Sequence, residues 1–153
     1  MSSKKASLNK DFTIREYRDG DFKQIADLWK QTEMGNPKRG DDAKTIMDSV
    51  SIGGSMLILE EKRSGKICGT SWMTFDGRRI HLHHFGILPD YQGEGLANLL
   101  LEESLKFVRS FGYQVKLEVH KSNIKAINLY KKFGFEYLGD YDVYIIRDIS
   151  RII

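Results

Sequence analysis

The stretch from His83 to Val108, "HHFGILPDYQGEGLANLLLEESLKFV", constrains this chain more than any other. An apolar run stops at Pro89, two glycines follow closely, and a leucine-rich run at helical spacing takes over. Strand, bare turn and helix therefore follow one another with no intervening loop. The first N–H groups of a helix lack intrahelical partners and carry the positive end of its dipole. Gly93 and Gly95 leave those groups uncovered, an arrangement that binds anions such as phosphate. Beyond the turn, Ala97, Leu101, Leu105 and Val108, widened by Leu96 and Leu100, form the core-facing stripe of a helix.

The turn has three readings. A dinucleotide-binding turn would need a third glycine where Asn98 stands, and too little chain with one helix follows Glu118 to finish a doubly wound sheet. A phosphate loop of the Gly-Lys-Ser/Thr kind fails because no such triplet follows. Glycines that merely ease a tight bend are the plain structural alternative.

Patterning supplies the surrounding elements. A strand over Phe12–Arg18 precedes a helix that starts at Asp19 or Asp21 and carries Phe22, Ile25, Leu28 and Trp29 on one face. After the loop "MGNPKRGDD" come a short helix, "DAKTIMDSVSI", and two strand-like runs about the turn "RSGK". The strand "RRIHLHHFGIL" leads into the glycine turn and a helix reaching about Arg109. "YQVKLEVH" alternates Val115, Leu117 and Val119 against Lys116, Glu118 and His120, as a strand does. "NIKAINLYKKF" predicts a helix capped by Ser122 or Asn123 and stopped by Gly134, and "EYLGDYDVYIIRDI" predicts one or two closing strands. The order β-α-α-β-β-β-α-β-α-β is that of an α/β or mixed α+β sheet. Residues 1–11 are expected as a flexible tail and 12–153 as a single domain.

Two motifs carry a family resemblance. "Q-G-E-G-L-A" matches the Arg/Gln-x-x-Gly-x-Gly/Ala turn of the GNAT superfamily of N-acetyltransferases at Gln92, Gly95 and Ala97. Asn123, Ala126, Leu129, Tyr130, Gly134 and Phe135 match its second signature, Asn-x-x-Ala-x-x-Leu-Tyr-x-x-x-Gly-Phe. The likeness covers about residues 80–139, and only the element pattern agrees before that. It implies the GNAT fold, a mostly antiparallel mixed sheet with splayed central strands flanked by helices. It also implies acetyl-CoA as cosubstrate and direct acetyl transfer to a primary amine in a ternary complex. By the same resemblance, the amides from Gln92 through Gly93, Glu94, Gly95, Leu96 and Ala97, with Asn98, hold the diphosphate. Backbone at Ile87 and Leu88 pairs with the pantetheine arm, the N–H of Ile87 polarises the thioester carbonyl, and Asn123 contacts the cofactor. Tyr130 is expected to protonate the departing sulfur, a phenol with an ordinary pKa near ~10 being matched to a thiolate.

The base is open between Glu118, His83 or His84 at the end of the strand that leads into the glycine turn, and a water relay. Tyr130 and Asn123 also have plain structural uses, as part of the apolar stripe Ala126, Leu129, Tyr130, Phe133 and as a helix cap. His81, His83, His84 and Cys68 do not complete a metal set, so no metal is expected. Cys68 reads as a small buried hydrophobe; being the lone cysteine it forms no internal disulfide, and the cytoplasm is the expected compartment. A net charge of +3 without a basic run argues against a nucleic-acid partner, and no apolar stretch approaches the ~18 residues of a membrane span. A homodimer is one option for assembly. The acceptor amine is not specified, although Glu33, Asp41, Asp42, Asp140 and Asp142 lie in the segments expected to meet it. A CoA-binding regulatory domain without transfer activity is the alternative reading.

Overall fold

Phe12–Glu16 (β1), Ser55–Glu61 (β2), Lys66–Phe75 (β3), Ile80–Ile87 (β4) and Val115–Leu117 (β5) form one sheet in that order. The computed structural model in which they are seen describes residues 3–152 and divides into two units, Met1–Glu118 and Val119–Ile153. The first four strands pair antiparallel, whereas β5 runs parallel to β4 and touches it only from Ile80 to Leu82. The rest of β4, from His83 to Ile87, has no strand on that side. This is the mixed, splayed sheet expected from the sequence.

Among the described residues the first unit has four α-helices, Ser3–Asp11 (α1), Phe22–Gln31 (α2), Ala43–Ser51 (α3) and Leu96–Phe111 (α4), and the second unit has Ile124–Lys132 (α5). Ile25, Leu28 and Trp29 of α2 and Ile46 of α3 pack with Met56, Ile58, Ile67 and Trp72 on one sheet face. Leu96 and Leu100 of α4 pack with Phe12, Leu59, Cys68 and Ile87 on the other. Side chains alternate along each strand, so the sheet serves two cores at once. Within the α4 layer Ser71 and Ser104 are buried, and they satisfy each other at 2.7 Å.

Caps follow the sequence closely. Asp42 accepts the Thr45 N–H at the start of α3, and Asn123 accepts the Ala126 N–H at the start of α5. Asp21 stands at the N-cap of α2, but its carboxylate is taken by Arg15 at 2.8 and 2.9 Å. Arg15 also reaches Glu60 at 2.6 Å, tying β1, β2 and the start of α2 together.

Two expectations differ from the structure. The described part of the supposed tail is helix α1, and Met1 and Ser2 lie outside the described residues. A polar, lysine-rich segment gives no local sign of order; α1 is held by partners remote in sequence, discussed below. In the second unit, residues 136–148 take no strand conformation, and Tyr137, Tyr144 and Ile145 are exposed. Period-2 patterning suits a segment to a sheet, but a ladder also needs an edge to pair with.

Candidate active site

The turn after β4 is built by its own backbone. Leu88 N–H donates to Cys68 O at 2.7 Å, and Tyr91 N–H donates to Leu88 O at 2.9 Å. The N–H of Leu88 is thus spent inside the protein, and its carbonyl already accepts one bond. Bonded and non-bonded pairs alternate in an antiparallel ladder, so Ile87, opposite Gly69, directs its N–H and C=O away from β3. That side is the gap where β5 has parted from β4. The Ile87 carbonyl accepts Gln92 Nε2 at 2.8 Å, which pins the turn to the strand.

Gln92 N–H is bonded to Pro89 O at 3.2 Å. Among the described residues the N–H groups of Gly93, Glu94, Gly95, Leu96 and Ala97 find no protein acceptor. Gly93 and Gly95 sit at φ +84° and +97°, left-handed positions that turn successive amides toward one side at the start of the 16-residue helix α4. Of the amides 92–97 expected to hold a diphosphate, that of Gln92 is thus bonded within the turn and those of 93–97 have no acceptor among the described residues. Asn98 stands in the first turn of α4.

The face of β4 toward α2 carries the histidines. His84 occupies φ +43°, a strained left-handed position for a residue with a Cβ, opposite a register shift between Thr70 and Trp72. Trp29 Nε1 donates to the Thr70 hydroxyl, which donates to His84 O at 2.7 Å, so a side-chain relay holds the bulge. The His84 ring lies 4.4 Å from the Trp29 ring and 5.3 Å from that of Trp72, with Nε2 3.3 Å from Asp41 Oδ2. Its Nδ1 is buried and has no hydrogen-bond partner among the described residues. His83 meets Thr74 Oγ1 at 2.8 Å and stacks on His81 at 4.1 Å.

Burial lowers the pKa of all three histidines, His83 from 6.5 to about 4, with Lys116 adding to the effect at His81 and Asp41 opposing it at His84. Folded-state values below the unfolded one mean that the neutral cluster stabilises the protein above pH 6.5. That contribution is lost as pH falls through about 4. The melting temperature should fall on the acid side, by about 2–4 °C for each 1 kcal/mol lost. His83→Asn should flatten the fall between pH 6.5 and 4; equal slopes in the two proteins would show that His83 titrates as if exposed.

Glu118 is exposed and follows β5 on the face of Lys116, near enough to His81 to oppose its loss of charge. In the second unit, Asn123 is committed to its cap at 3.2 Å. Tyr130 is buried at 8% exposure, edge-on to Phe135 at 5.6 Å. Burial pushes its phenol up to about 12, so it holds its proton at any ordinary pH. Cys68 is buried within the α4-side core, and burial raises its thiol as well. Among the described residues no three or more His, Cys, Asp or Glu side chains gather to hold a metal, and no helix is long and apolar enough to cross a membrane.

The model of the acetyltransferase (GNAT) family matches residues 22–135. The chain belongs to this family. Solved acetyltransferases share the fold. One from Streptococcus agalactiae 2603 aligns with TM-score 0.75 at 22% identity, covering 91% of this chain and 93% of that one. The ribosomal-protein-S18-alanine N-acetyltransferase from Escherichia coli aligns with TM-score 0.69 at 24% identity, over 82% and 77%. An AAC(6')-Iy in complex with the bisubstrate analogue CoA-S-monomethyl-acetylneamine aligns with TM-score 0.71 at 16% identity, over 90% and 99%.

GNAT enzymes transfer acetyl groups from acetyl-CoA, and the observed geometry suits that group. Five unpaired amides at a helix start fit a diphosphate, and an outward N–H at Ile87 beside an open strand edge fits an extended arm. In the first unit His83, His84, Ile87 and the turn at 92–97 follow one another at the C-terminal end of β4, whereas Glu118 follows β5, whose pairing with β4 ends at Leu82, and lies near His81. Sequence reasoning named Asp41 only as one acid among several and missed its contact with His84. It also missed the Trp29–Thr70 relay. Neither left a signal, because the partners are 43 and 41 residues apart in the chain.

Proposed function

We propose that this chain moves the acetyl group of acetyl-CoA to a primary amine by direct attack in a ternary complex. The observation that supports the reading best is the row of unpaired amides at 93–97, next to the unpaired edge of β4 at Ile87. Amides 93–97 hold the diphosphate through fixed dipoles, with Gln92 keeping the turn in place and Asn98 and Asn123 as further contacts. Ile87 N–H donates to the acyl oxygen, where negative charge develops. Acetyl-CoA supplies an activated thioester. Tyr130 is the proton donor to the leaving sulfur, and a phenol with so high a pKa is not lost to ionisation beforehand.

Glu118 takes the amine proton, directly or through water. Its carboxylate is exposed beside the histidine face, whereas His84 Nε2 is turned on Asp41 and Nδ1 is buried. His84 therefore shapes the acceptor wall rather than accepting the proton.

Screening amines and peptide N-termini for CoA thiol release in the presence of acetyl-CoA tests the activity and identifies the acceptor. With an acceptor in hand, Glu118→Gln should lower kcat about 100-fold near pH 7, and His84→Asn should act mainly on KM. The reverse pattern would assign the base to His84.

A further inference from the structure

The turn at 92–97 has a neighbour that the motif does not explain. Lys5 Nζ on α1 bonds both carboxylate oxygens of Glu102 on α4, at 2.6 and 2.7 Å. Lys62 Nζ donates to Asn9 O at 2.7 Å and its N–H donates to Asp11 O at 2.9 Å, while Leu8 packs on the α4-side core. These anchors lay α1 against the beginning of α4. A Cβ built on Gly95 would stand 3.6 Å from Leu8 Cδ1 and 3.9 Å from Lys4 Cε. Lys4 and Leu8, four residues apart on one helical face, therefore both border the turn.

The two lysines have different situations. Lys5 is matched by a carboxylate, so its charge is already compensated locally. Lys4 is exposed and makes no ion pair with any described residue. Its Cε borders Gly95, in the middle of five successive amides that lack acceptors among the described residues, and the ammonium is one bond further on a flexible stem.

We infer that Lys4 is an additional ligand of the CoA diphosphate, supplying a full positive charge where the turn supplies only dipoles. The inference rests on reading the turn as the CoA site. Amides orient a diphosphate but compensate its charge only partly; a lysine on a long flexible stem adds charge without fixing geometry. α1 is thereby part of the cofactor site, with Lys5 and Leu8 as the means of holding Lys4 there.

Calorimetric titration of CoA and of dephospho-CoA into the full chain and its Lys4 variants tests this. K4A should weaken both ligands equally, about three- to tenfold, and K4E more so, while K4R stays within about twofold of the parent. The K4A penalty should shrink in 1 M salt, where the screening length is about 3 Å. A penalty confined to CoA would place Lys4 on the 3′-phosphate and overturn the diphosphate assignment. Unchanged affinity in K4A and K4E, with the parent binding CoA well, would overturn the inference and leave the turn's role intact. Tighter binding in K4A would make α1 an obstacle rather than a ligand. No CoA binding by the parent would overturn both readings.

Discussion

Tyr130→Phe is expected to lower turnover about 100-fold or more while leaving the CoA dissociation constant within a few fold. The substitution removes one hydroxyl and keeps the ring. The edge-on contact with Phe135 and the burial of the helix face therefore survive. What is lost is the proposed proton donor, a phenol that burial pushes up to about 12, so that it keeps its proton until the C–S bond breaks. A donor tuned this way is fully protonated when the bond breaks, and the alkaline arm of the kcat profile should not fall through this group below about pH 10. Steady-state kinetics with a saturating acceptor, alongside calorimetry with CoA, reads both quantities. Turnover unchanged in Tyr130→Phe would remove the phenol from the mechanism.

Gly95→Val is expected to weaken CoA binding at least about 100-fold and to lower the melting temperature by several degrees. In the structure, a Cβ there points toward Leu8 of α1 at ordinary contact distance. The stronger effect is conformational: φ +97° is closed to a β-branched residue, so the chain must rotate and the amides of 93–97 cease to converge. Gly93→Ala makes a useful contrast. Its φ of +84° is also left-handed, but a Cβ there meets nothing within 4 Å, so the cost should be milder, about 1–2 kcal/mol. Tight CoA binding by Gly95→Val would show that this turn is not the diphosphate site.

The glycine turn was legible because its chemistry is local. Strand, Pro89, Gly93, Gly95 and the leucine stripe of α4 are all written within one short stretch, and each follows from backbone sterics or periodicity. The cap of α5 by Asn123 and the hairpin between β2 and β3 were legible for the same reason. The α1 helix was not: its own residues favour no buried face, and its order comes from Glu102, Lys62 and the α4-side core, up to 97 residues away. The bonded N–H of Leu88 was equally hidden, since ladder phase depends on how β3 meets β4 and one residue of shift reverses every outward group.

By itself, then, the sequence determined the elements from β1 to α5 and the uncovered start of α4, because these depend on near neighbours along the chain. Only the tertiary structure decided which groups are already spoken for. It bonded the Leu88 N–H to β3 and left Ile87 facing the gap, turned His84 on Asp41 between two tryptophans, and set Lys4 beside the glycine turn. Hydrogen-bond saturation, burial and charge pairing are properties of space rather than of sequence separation, and no local pattern encodes them.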